Sequence, residues 1–475
     1  MKFKTLVLSL TISLGLVSSL GLAQEQVHFS TAFKAGNYKL ALTAVDANQA
    51  ESALFAFAMF KDKMPYLALD KLSGSSNISA EAKDLWKNEL GINSPFWRNS
   101  SVVWQRKWSS IFSSEIPNAI QAWSLHDLKT DAEFSRAQIL MRNLEGTDPG
   151  AWAKWQLALG YALKDRTSIA VDYLQSLIDT KQKAVGEDEI LITAARMLYQ
   201  DNKLDMAMKY YDKISKSSDY WLEALEEKAW IYARLNSFER TLGEMKTILN
   251  PAFSSQVGPE SYFLGTLANL RLCDYFSIFE ILRNFKAHTR DRILEIQKLA
   301  DTGYNSVSDS SLKRLENGVQ NWAQLGAAVD KLPRFINRDE ILNRAVTRSR
   351  WAHQELKEAQ ALNTANSSFA SRIPLAEKFV RENSNSAPAR LKVMAQADQA
   401  EMKKILIKLQ IVESEAIHRM HVGQTFALKA KATRKPKIKN EIEFPFEDNE
   451  VWLDELDHYE ASAKGCPLPE KGQKL

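Results

Sequence analysis

The stretch 151–178, AWAKWQLALGYALKDRTSIAVDYLQSLI, decides the fold. Leu157, Ala158 and Tyr161 share one helical face, and after a short polar break Ala170, Leu174 and Leu177 share the face of a second helix. The same offsets return in Ala194, Ala195 and Leu198 followed by Ala207, Tyr211 and Ile214. They return again in Ala229 and Tyr232 followed by Thr241, Met245 and Ile248, and in Leu264, Gly265 and Ala268 followed by Ser277 and Ile281. The small residue that opens each second helix thus recurs at 170, 207, 241 and 277, with spacings of 37, 34 and 36. One such helix pair cannot bury its apolar face alone, so the pairs are expected to stack side by side as a solenoid.

Outward from this core the signal weakens by degrees. Asp201-Asn202-Lys203 and Asn236-Ser237 supply turn residues between the paired helices. Degenerate copies are visible in Ala35-Gly36-Asn37-Tyr38 with Ala41, and in 62–69 with Ala68. Between these and residue 150 the phasing breaks around Pro95-Phe96-Trp97 and the aromatic run up to Trp108, so 24–146 reads as degenerate helical repeats and 147–290 as the repeat core.

Past Asn284 the period changes to alternating steps of three and four. Leu342, Ala345, Ser349, Ala352, Leu356 and Ala359 form one seam, and Leu391, Ala395, Asp398, Met402, Ile405, Leu409, Val412 and Ala416 form another. A helix from Pro388 to Ala432 would be about 65 Å long at 1.5 Å per residue. Residues 291–430 are therefore expected to form a long antiparallel, coiled-coil-like helical hairpin, hinged in 366–387. The tail 431–475 differs again. Residues 429–439 hold six basic residues and no acid, and 440–460 hold nine acids and no Lys or Arg. A charge run is commonly just solvated, but Phe444, Phe446, Trp452 and Tyr459 lie within the acidic part and are expected to dock.

The N-terminus sets the compartment. Lys2 and Lys4 precede an uncharged apolar run at 6–20, and Gly21-Leu22-Ala23 offers small residues to a signal peptidase. Residues 1–23 read as a secretory signal peptide, with a non-cleaved anchor as the alternative, because the run is shorter than the ~20 residues a bilayer needs. The expected location is periplasmic. The mature chain has no later stretch of eighteen consecutive apolar residues, so no integral span is expected. A composition of 45% hydrophobic and 25% charged residues is that of a folded protein, and only 18 glycines favours helices. The formal charge of +4 argues against a nucleic-acid partner.

Signatures of catalysis are missing from the sequence: it has no Walker loop, dinucleotide glycine pattern, His-Glu-x-x-His or Gly-x-Ser-x-Gly. His418 and His421 could share a helical face but lack further ligands, and the Glu455–His458 spacing lacks the second copy a carboxylate-bridged site requires. No enzyme activity, cofactor or metal is expected. Cys273 and Cys466 are the two cysteines; in an oxidising compartment they are expected to pair, the alternative being two unpaired buried thiols.

The paired-helix period resembles the tetratricopeptide repeat, over 151–285 and more weakly over 30–72. The stretches Leu272-Cys273-Asp274-Tyr275, 279–285, Phe444-Pro445-Phe446, 452–456, Tyr459 and Cys466 further resemble periplasmic tetratricopeptide proteins of gliding and predatory bacteria, a group associated with gliding motility and adhesion. The resemblance implies an all-α solenoid whose first helices line a partner groove, here Trp152, Trp155, Leu159, Arg196, Tyr199, Glu226 and Trp230. Trp155 and Trp230 have the alternative of packing between adjacent helices. The expected function is a scaffold for other envelope proteins. The alternatives are a wall-lytic enzyme built on a helical superhelix, or a peptidoglycan binder using the Trp-rich stretch 96–108.

Overall fold

The computed structural model describes residues 27–180, 182–253 and 256–422, so the expected signal peptide and the tail 431–475 lie outside the described residues. Among the described residues every regular element is helical and there is no strand. The N-terminal part contains α1 (Phe29–Lys34), α2 (Tyr38–Leu42), α3 (Ser52–Lys61), α4 (Pro65–Ser73), α5 (Ala80–Glu89), α6 (Pro95–Asn99), α7 (Ile116–Trp123) and α8 (Asp131–Asn143). Four longer pairs follow: α9 (Asp148–Leu163) with α10 (Thr167–Asp179), α11 (Glu187–Gln200) with α12 (Leu204–Tyr211), α13 (Trp221–Arg234) with α14 (Phe238–Ile248), and α15 (Pro259–Arg271) with α16 (Tyr275–Thr302). The last helices among the described residues are α17 (Ser306–Glu316), α18 (Glu340–Asn363), α19 (Ile373–Asn383) and α20 (Ser386–Val422).

Six helix pairs share one turn. Gly36, Lys63, Asp165, Asn202, Asn236 and Cys273 all have positive φ, between 55° and 72°, and each second helix starts two residues later. In every case the residue after the left-handed one donates its N–H to the carbonyl five residues back: Asn37 to Ala32, Met64 to Met59, Arg166 to Tyr161, Lys203 to Leu198, Ser237 to Tyr232 and Asp274 to Asn269, at 2.8–3.0 Å. This is the Schellman end, which satisfies carbonyls the helix leaves open and reverses the chain. The fourth residue of each second helix then sits at the crossing with no exposure: Ala41, Ala68, Ala170, Ala207, Thr241 and Ile278. The last position differs from the sequence expectation. Ser277 is only half-buried and donates its N–H and hydroxyl to the carboxylate of Asp274, the N-cap of α16, while Ile278 takes the crossing.

Each pair packs on the next, α10 on α11, α12 on α13 and α14 on α15, so the run has solenoid character. α16 continues to Thr302 through the expected boundary at 290. The long C-terminal hairpin is present, with α19 leading into α20, but the α20 seam is used mainly against the solenoid. Leu391 and Ala395 join Leu299, Ala300 and Leu342 in one core, whereas Met402, Ile405, Leu409, Val412 and Ala416 join Tyr262, Ile278, Leu282 and Phe285 in another. α20 runs antiparallel to α16, as Gln396 bonding Ala300, Arg292 pairing with Asp398 at 2.7 Å and Lys286 pairing with Glu413 at 3.6 Å show. Its 37 residues span about 55 Å.

α18 closes over the N-terminal hairpins. Trp351 stacks on Phe96 with centroids 5.5 Å apart, and Phe369 in the following turn meets Phe55. Glu355 is fully buried and accepts the N–H of Leu67 at 2.6 Å, capping the first turn of α4, where Met64 has no capping side chain. The Trp-rich stretch is largely interior: Phe96, Trp97 and Trp108 are buried, Trp104 is half-buried, and Trp104 meets Trp108 edge to face at 5.6 Å.

Candidate functional site

Of the first helices α9, α11, α13 and α15, the first three carry all seven residues expected in a groove. The segment 332–344 crosses the beginnings of these four helices in reverse order. At α15 the guanidinium of Arg334 lies where a side chain on Gly258 would be, 2.2 Å from an added Cβ, and pairs with Glu401 at 3.0 Å. At α13 Arg338 pairs with Glu223 and stacks on Tyr220 at 4.2 Å. Near α11, burial first and the Glu340 charge second push the carboxyl of Glu189 up. At α9 Arg344 lies 5.2 Å over the Trp152 ring and donates to the carbonyl of Trp123 at 2.9 Å. Burial pushes Glu340 up, but the Arg98 and Arg344 guanidiniums outweigh it and hold the carboxyl below its ordinary value.

This strap divides the expected groove residues into two sets. Trp152 and Trp155 are buried, Trp152 against Trp123 at 5.7 Å and Trp155 within the N-terminal core. Both rings are used in packing. Glu226 accepts a hydrogen bond from the Ser261 hydroxyl, and burial, only partly offset by Ser261 and Arg334, pushes its carboxyl up to about 7. Leu159, Arg196, Tyr199 and Trp230 stay half-exposed.

Leu159 packs against the N-terminal core, whereas Arg196, Tyr199 and Trp230 belong to a strip that pairs rings with cations. Arg234 lies 4.5 Å over Tyr199, Trp230 meets Phe263 at 6.1 Å, and Lys408 of α20 lies 5.0 Å over Phe263. Arg196 is fixed beneath by Glu227 at 2.6 Å and Glu223 at 3.2 Å. Arg234 and Lys408 are exposed, so the strip offers flat apolar faces and positive charge together. Sequence reasoning missed Arg234, Phe263 and Lys408. The first two lie on the repeating face and were legible in principle, but Lys408 arrives from α20, 145 positions beyond Phe263.

Among the described residues no group of three or more His, Cys, Asp or Glu is placed to hold a metal ion, and no helix is long and apolar enough to cross a membrane. His418 and His421 are exposed on α20. Cys273 is not a free thiol; Cys466, Phe444, Phe446, Trp452 and Tyr459 lie outside the described residues. No family model, curated protein or solved structure matches the chain.

Proposed function

We propose that this chain is a non-enzymatic scaffold of the bacterial envelope, exported to the periplasm, whose first-helix strip holds a segment of another envelope protein. The observation that carries this reading is the strip itself, with Tyr199, Trp230 and Phe263 half-exposed beside Arg234 and Lys408. Rings and guanidiniums of this kind anchor extended segments bearing acidic or aromatic side chains. The tetratricopeptide-like period of the hairpins supports the reading, and the resemblance to gliding and adhesion proteins suggests the setting.

Capture after in-cell cross-linking tests it, with the wild type compared against Trp230→Ala and Arg234→Glu. A specific envelope protein recovered with the wild type and lost with both variants is the expected result. Recovery unaffected by either substitution removes the strip from the interaction. Retention on purified peptidoglycan, equal for all three proteins, would move the assignment to wall binding.

A further inference from the structure

The seam that α20 buries over 391–416 advances by alternating steps of four and three. Two residues after each of its eight positions, about 200° further round the helix, lies an exposed one. The exposed positions therefore keep the same heptad spacing over 393–418, a length of about 38 Å. Five of the eight are apolar, Val393, Ala397, Ala400, Ile407 and Ile411, and the one permanent charge is Lys404. Val393, Ile407 and Ile411 expose 51%, 59% and 63% of their surface. The outer face of a helix ordinarily carries charged and polar side chains, so a stripe of this make-up marks a contact surface.

The charges beside the stripe decide what covers it. Glu401 and Glu415 flank it, and both are neutralised within the molecule, by Arg334 at 3.0 Å and Arg419 at 2.7 Å. Lys403, Lys404 and Lys408 are exposed, and among the described residues none of them forms a salt bridge; Lys408 lies over the Phe263 ring. All three sit near the middle of 393–418. A second copy, aligned parallel or antiparallel, would therefore bring its own lysines against them. The stripe is also narrow and ends in Ser414 and His418, whereas a membrane surface takes a broad face rich in Trp, Phe or Leu. A helix of matching period with acidic flanks satisfies both the spacing and the charge.

We infer that the outer face of α20 is a docking surface for an acidic amphipathic helix of another protein, packed along 393–418 in heptad register. Ala397 and Ala400 let the visiting backbone approach closely over the first half, and Ile407 and Ile411 enter its holes over the second. Lys403 and Lys408 lie on opposite sides of the stripe, so carboxylates on both edges of the visiting helix meet a cation. Tyr199, Trp230 and Arg234 belong to α11 and α13 and take no part, which gives the chain a second attachment point besides the strip.

Fluorescence anisotropy on the full chain tests this with two four-heptad peptides that share an isoleucine and leucine seam, one flanked by glutamates and the other by lysines. The acidic peptide should bind about tenfold or more tighter than its basic twin, and should weaken as salt rises. Lys403→Glu/Lys404→Glu and, separately, Ile407→Asp/Ile411→Asp should each lower its affinity about tenfold or more with thermal melting unchanged. No binding of the acidic peptide, equal binding of the two peptides, or binding indifferent to both variants overturns the inference. Three other outcomes also overturn it by reassigning the face. A dimer in sedimentation that Ile407→Asp/Ile411→Asp dissolves assigns it to a second copy. Retention on phosphatidylglycerol vesicles in place of peptide binding assigns it to a membrane. Carbodiimide coupling of Lys404 to carboxylates of 440–460 within one chain assigns it to the chain's own tail. Trp230→Ala should leave peptide binding unchanged, so this inference and the role of the strip fail separately.

Discussion

The hairpins of 148–302 and the layer that closes over them are held together in opposite ways. Within the hairpins each contact is local: Asp165, Asn202, Asn236 and Cys273 reverse the chain at intervals of 37, 34 and 37, and every pair buries its neighbour. The closing layer uses contacts hundreds of residues apart. Glu355 caps α4 288 positions away, and Arg344 reaches Trp123 across 221. Repetition makes the first kind of packing tolerant, since one weak turn has several sound neighbours. The second kind concentrates its stability in single buried groups.

That contrast can be broken most directly at Glu355. Its carboxyl is pushed well above the ordinary range, by burial first, with the backbone N–H bonds of Leu67 and Tyr66 only partly opposing it. Glu355→Ala strands the Leu67 N–H and leaves a void, and urea titration should show a loss of about 2–4 kcal/mol. Glu355→Gln keeps an acceptor of the same shape and should cost less than about 1 kcal/mol; equal losses for both would show that the cap is not what matters.

A second test lies where the strap meets the repeats. Glu226 has a folded-state pKa of about 7, above its ordinary 4.5, so between those values the folded protein holds a proton that the unfolded chain releases. Stability contributed by this group is therefore lost as pH rises through that window, and Glu226→Gln should gain on the order of 1–3 kcal/mol at pH 8 while changing little at pH 4. Denaturation midpoints at the two pH values decide it, and a pH-independent gain would count against the assigned titration.

The smallest effect belongs to the repeats themselves. Asp165 holds φ at 57° in a turn that glycine adopts without strain, so Asp165→Gly should raise stability by about 0.5–1 kcal/mol in thermal melts. A loss would mean that the Asp165 side chain contributes more to the turn than its backbone costs.

These differences follow what the sequence made legible. The period of the hairpins, the small residues at 170, 207 and 241 and the buried faces of α18 and α20 were readable because they repeat along the chain. The fourth crossing slipped by one residue, since Ser277 is small but serves as part of a cap and Ile278 does the packing. The aromatic block around Trp97 looked unphased because its partners, Trp351 among them, lie on a helix some 250 residues away. For the same reason half of the expected groove is spoken for: no local pattern announces that Arg334, Arg338 and Arg344 will lie across α15, α13 and α9. The strip that remains open was half legible, through Tyr199 and Trp230.

The antiparallel seam of α20 on α16 also has a mechanical meaning. Traction on the far end of α20, directed along its axis, cannot peel the helix away one turn at a time. Met402, Ile405, Leu409 and Val412 would all have to slide past their neighbours together, with the Arg292–Asp398 pair breaking in the same step. A helix seated this way bears load in shear, as a lap joint does.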